Sequence, residues 1–178
     1  MYPRYHEGMP DELHELHVEP NRRTETLEET EVALLDVQLC FDIYTTSRTL
    51  TKAYRGLLDR LELTYPQYLV MLALWERDRQ SVKALGDRLD LDSGTLSPLL
   101  KRLEASGLVR RERARRDERE VEISLTGMGL ALRGRAQSVP TDIACLMGLS
   151  REERRDVQRT LRRLRQNLER ATATSEEP

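Results

Sequence analysis

Leu91-Asp92-Ser93-Gly94-Thr95-Leu96-Ser97-Pro98-Leu99-Leu100-Lys101-Arg102-Leu103-Glu104 is the segment from which the rest of the chain can be laid out. Leu96, Leu99, Leu100 and Leu103 recur at helical spacing and predict one apolar face. Ser93, Thr95, Ser97, Lys101 and Arg102 fall on the opposite face. Hydroxyls at a helix start can meet base edges, and cations further along meet phosphates. The pattern is that of a helix laid into a DNA groove. Pro98 fits a helix only near its start, where backbone N–H groups lack partners. The first turn is therefore expected between Asp92 and Thr95, both good caps.

The flanking residues extend this reading. Upstream, Val82, Leu85 and Leu89 predict a short helix from Ser81 to about Leu89, which gives helix-turn-helix order. Downstream, Gly107 is placed to end the second helix. From Leu108 to Thr126 the chain predicts a hairpin. Val121, Ile123 and Leu125 alternate with Glu120, Glu122 and Ser124 in its second strand. The Arg-rich middle is its tip, a wing. The expected fold class is mainly α with a small β-hairpin: a winged helix-turn-helix domain plus a helical dimerisation region.

The chain has 178 residues and a net charge of −2, so any affinity for nucleic acid must be local. Between Lys101 and Arg119 stand eight Lys/Arg (Lys101, Arg102, Arg110, Arg111, Arg113, Arg115, Arg116, Arg119) against four acids (Glu104, Glu112, Asp117, Glu118). That excess is the electrostatic footprint expected of a DNA reader. No apolar run approaches the roughly 20 residues of a membrane span, and no signal-peptide pattern is visible, so a cytoplasmic protein is expected. Two cysteines, Cys40 and Cys145, are then inert packing or redox-active rather than a structural staple.

Residues 1–30 are acidic and polar and predict a flexible tail. His14 and His17 lie in it and read as solvated, with no metal or other cofactor expected. Leu35, Leu39, Ile43, Leu50, Tyr54, Leu57 and Leu61 predict one long helix from about Val32 to Leu61. Tyr44, four residues after Cys40, shares its face. Tyr54 is fourteen residues on, and fourteen steps of ~100° return within about 40° of the same direction. Thr64 and Pro66 start a helix to about Arg77. Thr126 caps the next, expected to reach about Met147 with a kink at Pro140. Ser150 and Glu153 form a capping box. Val157, Leu161, Leu164 and Leu168 then give a thin heptad seam, suited to another helix. The expected division is 31–64 with 127–172 for dimerisation, 65–126 for DNA binding, and a frayed end at 173–178. A helix-turn-helix reader of this kind is expected as a homodimer on a palindromic operator in double-stranded DNA.

Asp117-Glu118-Arg119 followed by Ser124-Leu125-Thr126 resembles the wing signature of the MarR family of transcriptional regulators. Leu39-Cys40-Phe41, Leu63-Thr64-Tyr65-Pro66-Gln67-Tyr68-Leu69 and Leu91-Asp92-Ser93-Gly94-Thr95-Leu96 resemble a narrower group, the organic hydroperoxide resistance regulators (OhrR). The match spans about Leu35 to Leu168. The resemblance implies a dimeric repressor whose reduced form holds an operator and whose oxidised form releases it. It implies that Cys40 is the thiol that senses organic hydroperoxide, and that tyrosines at the positions of Tyr44, Tyr54 and Tyr65 surround or hydrogen-bond it. It also implies a two-cysteine subgroup in which Cys145 bridges to the partner subunit's Cys40. The tail is longer and more acidic than the family pattern needs.

A peroxide is attacked by thiolate, and a free Cys ionises only near about 8.5. Burial alone would disfavour the charged form, but phenolic donors such as Tyr54 and Tyr65 favour it. Tyr44 is expected to pack against the sulfur. A sulfenic acid would follow, then a disulfide, and helix movement at the dimer interface would respace the two reading helices. Ser93 and Thr95, with Ser97, are the expected major-groove contacts, and Lys101 and Arg102 the phosphate contacts. Arg115 or Arg116 would enter the minor groove. Asp117 and Arg119 would organise the wing, with Arg119 also placed to reach the backbone. The rival readings are a MarR-type repressor answering a small aromatic ligand, with Cys40 a bystander, and a thiol peroxidase. The second lacks a thioredoxin-like Cys pair or acid–base carboxylates, so no enzyme is expected.

Overall fold

The computed structural model describes residues 34–113 and 121–174. Within them the chain forms two compact units, Gln38–Gly148 and a second one combining the chain up to Val37 with Leu149 onward. The described part of the second unit holds a 3-10 turn, Leu35–Val37, and the helix Arg151–Thr174.

The larger unit begins with helix α1, Leu39–Leu58. The sequence predicted a longer helix, from Val32 to Leu61. Gln38 interrupts it with extended backbone, φ −82° and ψ 108°, and Leu35–Val37 before it is a 3-10 turn. At the other end Asp59–Leu61 tightens to 3-10 geometry, and Glu62 turns left-handed at φ 56°. Thr64 then caps α2, Tyr65–Glu76, in a full capping box: the Thr64 N–H donates to Gln67 Oε1 at 2.8 Å, and Thr64 Oγ1 accepts from the Gln67 N–H. Seven of the twelve residues of α2 are buried, which makes it the central helix of the core. Its last carbonyls are met by buried Gln80, whose Nε2 donates to Ala73 O at 2.9 Å and Arg77 O at 2.6 Å.

Gln80–Ser81 is a short strand, β1, absent from the expected hairpin. It pairs antiparallel with β3, Val121–Leu125, which pairs in turn with β2, Val109–Arg113, so the sheet order is β1-β3-β2. Between β1 and β2 lie α3, Val82–Leu89, capped by Ser81, and α4, Ser93–Ala105, capped by Asp92. Their order and lengths are the expected helix-turn-helix. Asp90 makes the turn left-handed at φ 55°, and the Leu91 N–H returns to Gly86 O at 3.0 Å. Leu96, Leu100 and Leu103 are buried, whereas Leu99 is only half-buried and stands at the edge of the predicted apolar face. Pro98 is the sixth residue of α4, beyond the first turn. It therefore cannot donate to the Gly94 carbonyl, and it stays exposed. Gly107 ends this segment at φ +70°.

After the wing, the predicted single helix with a kink at Pro140 is two helices: α5, Gly127–Ala136, capped by Thr126, and α6, Val139–Met147. The break falls at Gln137 and Ser138. Pro140 sits in the first turn of α6, where a missing N–H costs nothing, so it starts a helix instead of bending one. Trp75 Nε1 donates to Gly129 O at 2.9 Å and ties α5 to α2. The long last helix, α7, Arg151–Thr174, opens with Ser150 and Glu153 in reciprocal hydrogen bonds of 2.8 and 3.2 Å.

Candidate redox site and nucleic-acid interface

Cys40 is the second residue of α1, free and exposed, beside exposed Leu39, Ile43 and Tyr44. Tyr44 is one turn away on the same face. Its hydroxyl accepts a hydrogen bond from Arg48 Nη1 at 2.8 Å, and the Arg48 guanidinium carbon lies 5.5 Å from the Tyr44 ring centre. Cys40, Tyr44 and Arg48 thus form one ridge along α1.

The other phenols gather elsewhere. Tyr54 on α1 stacks on Tyr65 with ring centres 4.3 Å apart, and Tyr68 stands tilted at 6.1 Å. Trp75 closes the row, edge-on to Tyr68 at 6.2 Å. Burial, then the Tyr65 and Tyr68 rings, push the Tyr54 phenol up to about 12. Burial raises Tyr65, and burial with Tyr65 raises Tyr68. All three therefore remain O–H donors at neutral pH.

Within one chain the structure does not bring this stack to Cys40. Fourteen residues of continuous helix separate Cys40 from Tyr54, roughly 21 Å along the axis. The azimuthal match noted in the sequence is real, but the rise puts the phenol out of reach. Tyr65 stacks on Tyr54 at that far end of α1.

Cys145 is free and exposed in the last turn of α6, next to exposed Leu146 and Met147. The start of α6 is fastened to the far end of α1. Arg60 donates to Ser138 Oγ and to Asp142 Oδ2 at 3.0 Å, and Arg135 donates to the Arg60 carbonyl. α6 packs on α1 and is fastened to it at that end. Cys40 lies about 27 Å from the Leu58 end, and Cys145 only about 10 Å along α6. The two thiols of one chain are then separated by on the order of 15 Å, beyond the roughly 7 Å limit for a disulfide.

On the helix-turn-helix, Ser93, Thr95, Lys101 and Arg102 are exposed, and Ser97 is half-buried. The Thr95 hydroxyl donates to Asp92 Oδ2 at 2.7 Å, and the Thr95 N–H to Asp92 Oδ1 at 2.8 Å. These bonds, the hydroxyl first, hold the Asp92 carboxyl below the usual carboxylate range. Thr95 faces outward with its oxygen as an acceptor only. Glu104 Oε1 accepts the Arg111 N–H at 3.2 Å and fixes α4 to the wing. Arg110 and Arg113 are exposed on β2. Arg115, Arg116, Asp117 and Arg119 lie outside the described residues, as do His14 and His17. Among the described residues no His/Cys/Asp/Glu group is arranged to hold a metal ion, and no helix is long and apolar enough to cross a membrane.

Sequence reasoning missed Arg48 and Tyr68. Both were visible as spacing: Arg48 is four residues after Tyr44, and Tyr68 three after Tyr65.

Residues 43–131 match the family model described as transcriptional regulator SarA/Rot. The chain is 50% identical over 144 residues to the HTH-type transcriptional regulator TtmR of Methylorubrum extorquens, covering 81% of this chain and 74% of that protein. It is 50% identical over 123 residues to the organic hydroperoxide resistance transcriptional regulator of Bacillus subtilis, covering 69% of this chain and 82% of that one. The chain is a MarR-family transcriptional regulator of the organic hydroperoxide resistance type. Reduced AbfR bound to DNA superposes with a TM-score of 0.69 at 36% identity, covering 81% of this chain and 98% of AbfR. AbfR, from Staphylococcus epidermidis, has also been solved overoxidized and bound to DNA (TM-score 0.64, 37% identity) and with its disulfide formed (0.51, 38%). The match confirms the expected winged-helix class. The relatives are named as regulators and not as enzymes, in keeping with the expectation from the sequence.

Proposed function

We propose that this MarR-family regulator is a homodimeric, peroxide-responsive repressor. Its reduced form holds a palindromic operator. Oxidation of Cys40 by an organic hydroperoxide, then a disulfide to the partner subunit's Cys145, releases it. The observation that carries the reading is a free, exposed Cys40 on a helix whose phenol stack lies roughly 21 Å further along. A second copy, with its α1 crossing antiparallel to the first, brings the partner subunit's Tyr54 and Tyr65 up to Cys40. The exposed Leu39, Ile43 and Tyr44 are covered by the same contact.

In that pocket the thiolate accepts hydrogen bonds from phenols that stay protonated at neutral pH. Attack on the hydroperoxide gives a sulfenic acid, which condenses with the Cys145 thiol to a disulfide and water. The distance between the two thiols of one chain supports a bridge between subunits. The AbfR structures support the bridge, and not oxidation of the sulfur alone, as the releasing step, because the overoxidized form of that protein was solved on DNA. On the operator, Ser93 and the Thr95 oxygen meet major-groove edges, with Ser97 at their margin. Lys101 and Arg102 meet phosphates, and Arg115 or Arg116 enters the minor groove, with Asp117 and Arg119 serving the wing.

The test is operator release followed by gel mobility, with a parallel non-reducing gel. Wild-type protein loses its operator and becomes a covalent dimer on treatment with cumene hydroperoxide. Cys40→Ser stays bound and uncrosslinked. Release by Cys40→Ser at the wild-type peroxide dose would sink the reading.

A further inference from the structure

We propose that Arg48 is a positioning residue for the peroxide chemistry, and that it acts through the Tyr44 phenol on the oxygen that leaves when Cys40 attacks. The proposal rests on Cys40 being the peroxide-reactive thiol. Helical side chains lean toward the N-terminus, so Tyr44 leans back over the turn that carries Cys40, and Arg48 over the turn that carries Tyr44. The hydrogen bond from Arg48 Nη1 to Tyr44 Oη, at 2.8 Å, realises the second of these contacts. Among the described residues no carboxylate pairs with Arg48, so its charge is spent on the phenol.

The chemistry gives that arrangement a use. The Cys40 thiolate attacks the terminal oxygen of an organic hydroperoxide. An S–O bond forms as the O–O bond breaks, the sulfur is oxidised by two electrons, and the peroxide is reduced to an alkoxide. That alkoxide needs a proton. With its oxygen accepting from Arg48, the Tyr44 phenol has its one O–H free for the leaving oxygen. The guanidinium stabilises the negative charge left on the phenol until water returns the proton. Tyr44 is then a catalytic residue, and Arg48 orients and polarises it.

The test uses the full chain carrying Cys145→Ser, so that Cys40 is the one thiol, and compares two electrophiles. Cumene hydroperoxide has a leaving oxygen that takes a proton, whereas iodoacetamide expels iodide, which does not. Arg48→Gln and Tyr44→Phe are each expected to slow oxidation by about tenfold, the loss of one charge-assisted hydrogen bond at the transition state. Their alkylation rates should stay within about twofold of the parent. The double variant should be no slower than Tyr44→Phe, and Arg48→Lys should recover part of the rate. Oxidation of Arg48→Gln at the parent rate overturns the proposal. So does an equal slowing of both reactions, or a further loss when Arg48→Gln is added to Tyr44→Phe. If mass spectrometry finds Cys40 of the wild type unoxidised while cumene hydroperoxide still releases its operator, the redox reading itself falls and this proposal with it.

Discussion

Tyr54 and Tyr65 stack across the corner between α1 and α2 with ring centres 4.3 Å apart. The contact makes Tyr54 a weak acid at about 12, against 10.0 for a free phenol, chiefly through burial. Between those values the unfolded chain has lost a proton that the folded chain keeps. The contribution to stability is therefore whole below pH 10 and is lost as pH rises toward about 12. Tyr54→Phe should flatten this alkaline decline relative to wild type. Urea midpoints measured at intervals from neutral pH upward check it; parallel curves would show that the stack does not shift the phenol. The same substitution removes one proposed donor to the thiolate, so oxidation at neutral pH should slow as well.

A second expectation concerns the join between α2, the wing and α5. A methyl group added at Gly129 would lie 2.0 Å from the Leu108 carbonyl oxygen, far inside contact distance, and that oxygen belongs to backbone that cannot step aside. Gly129 also offers its carbonyl to Trp75, 2.9 Å away. Gly129→Ala should cost about 3 kcal/mol or more, as overpacking at a rigid site does. The melting temperature and the tryptophan emission should both shift, whereas alanine at exposed Gly134, where a methyl group meets nothing within 4 Å, should be neutral or mildly stabilising.

Asp92 governs the reading helix from outside it. Its carboxylate takes both the Thr95 N–H and the Thr95 hydroxyl, and these bonds lower its pKa. A lowered pKa means that the cap works fully above the ordinary carboxylate range and fails as pH falls through the folded-state value. Asp92→Ala should fray the first turn of α4, free the Thr95 hydroxyl to rotate, and weaken operator binding several-fold. Asp92→Asn keeps an acceptor and should lose less. Titration of a labelled operator with the three proteins, at neutral and at acid pH, ranks them. Equal affinities would show that the first turn is held by the DNA itself.

Most of the fold was legible because its punctuation is local. Thr64, Asp92, Thr126 and Ser150 each stand where a cap was read, and each accepts the expected N–H; Ser81, read as the first residue of its helix, is that helix's cap. The ends of α1 were not legible. Gln38 carries no breaking residue type, so its identity does not mark the extended N-cap it forms. Pro140 misled for a related reason. A proline signals a helix start and a kink alike, and the two are told apart only by whether the preceding turn is free to end. The strand Gln80–Ser81 was invisible because two residues carry no period.

The candidate site was half legible. Periodicity gives the direction of a side chain around a helix but says nothing of its height. Cys40, Tyr44 and Tyr54 share a direction, yet only Tyr44 shares a level with the sulfur. Reading direction alone merged two places that one chain keeps roughly 21 Å apart. The Arg48–Tyr44 bond was available to the same rule that paired Cys40 with Tyr44, applied one turn further on.

That separation yields the strictest test of the proposed mechanism. If the bridge joins Cys40 of one subunit to Cys145 of the other, neither Cys40→Ser nor Cys145→Ser should form it alone. When the two variants are mixed and allowed to exchange subunits, the heterodimer holds one complete pair, Cys40 from one chain and Cys145 from the other. Cumene hydroperoxide should then link that heterodimer covalently, and the band should run at twice the chain mass on a non-reducing gel and vanish with a thiol reductant. A bridge within one chain predicts the opposite. The wild type would change its disulfide content without changing its mass, and the mixture would stay unlinked. On the present geometry the intrachain bridge would require α6 to leave its seat at Arg60, breaking the bonds to Ser138 and Asp142. Arg60→Met should therefore leave the mixed-subunit crosslink in place while making α6 easier to displace, which hydrogen exchange across Val139–Met147 would register.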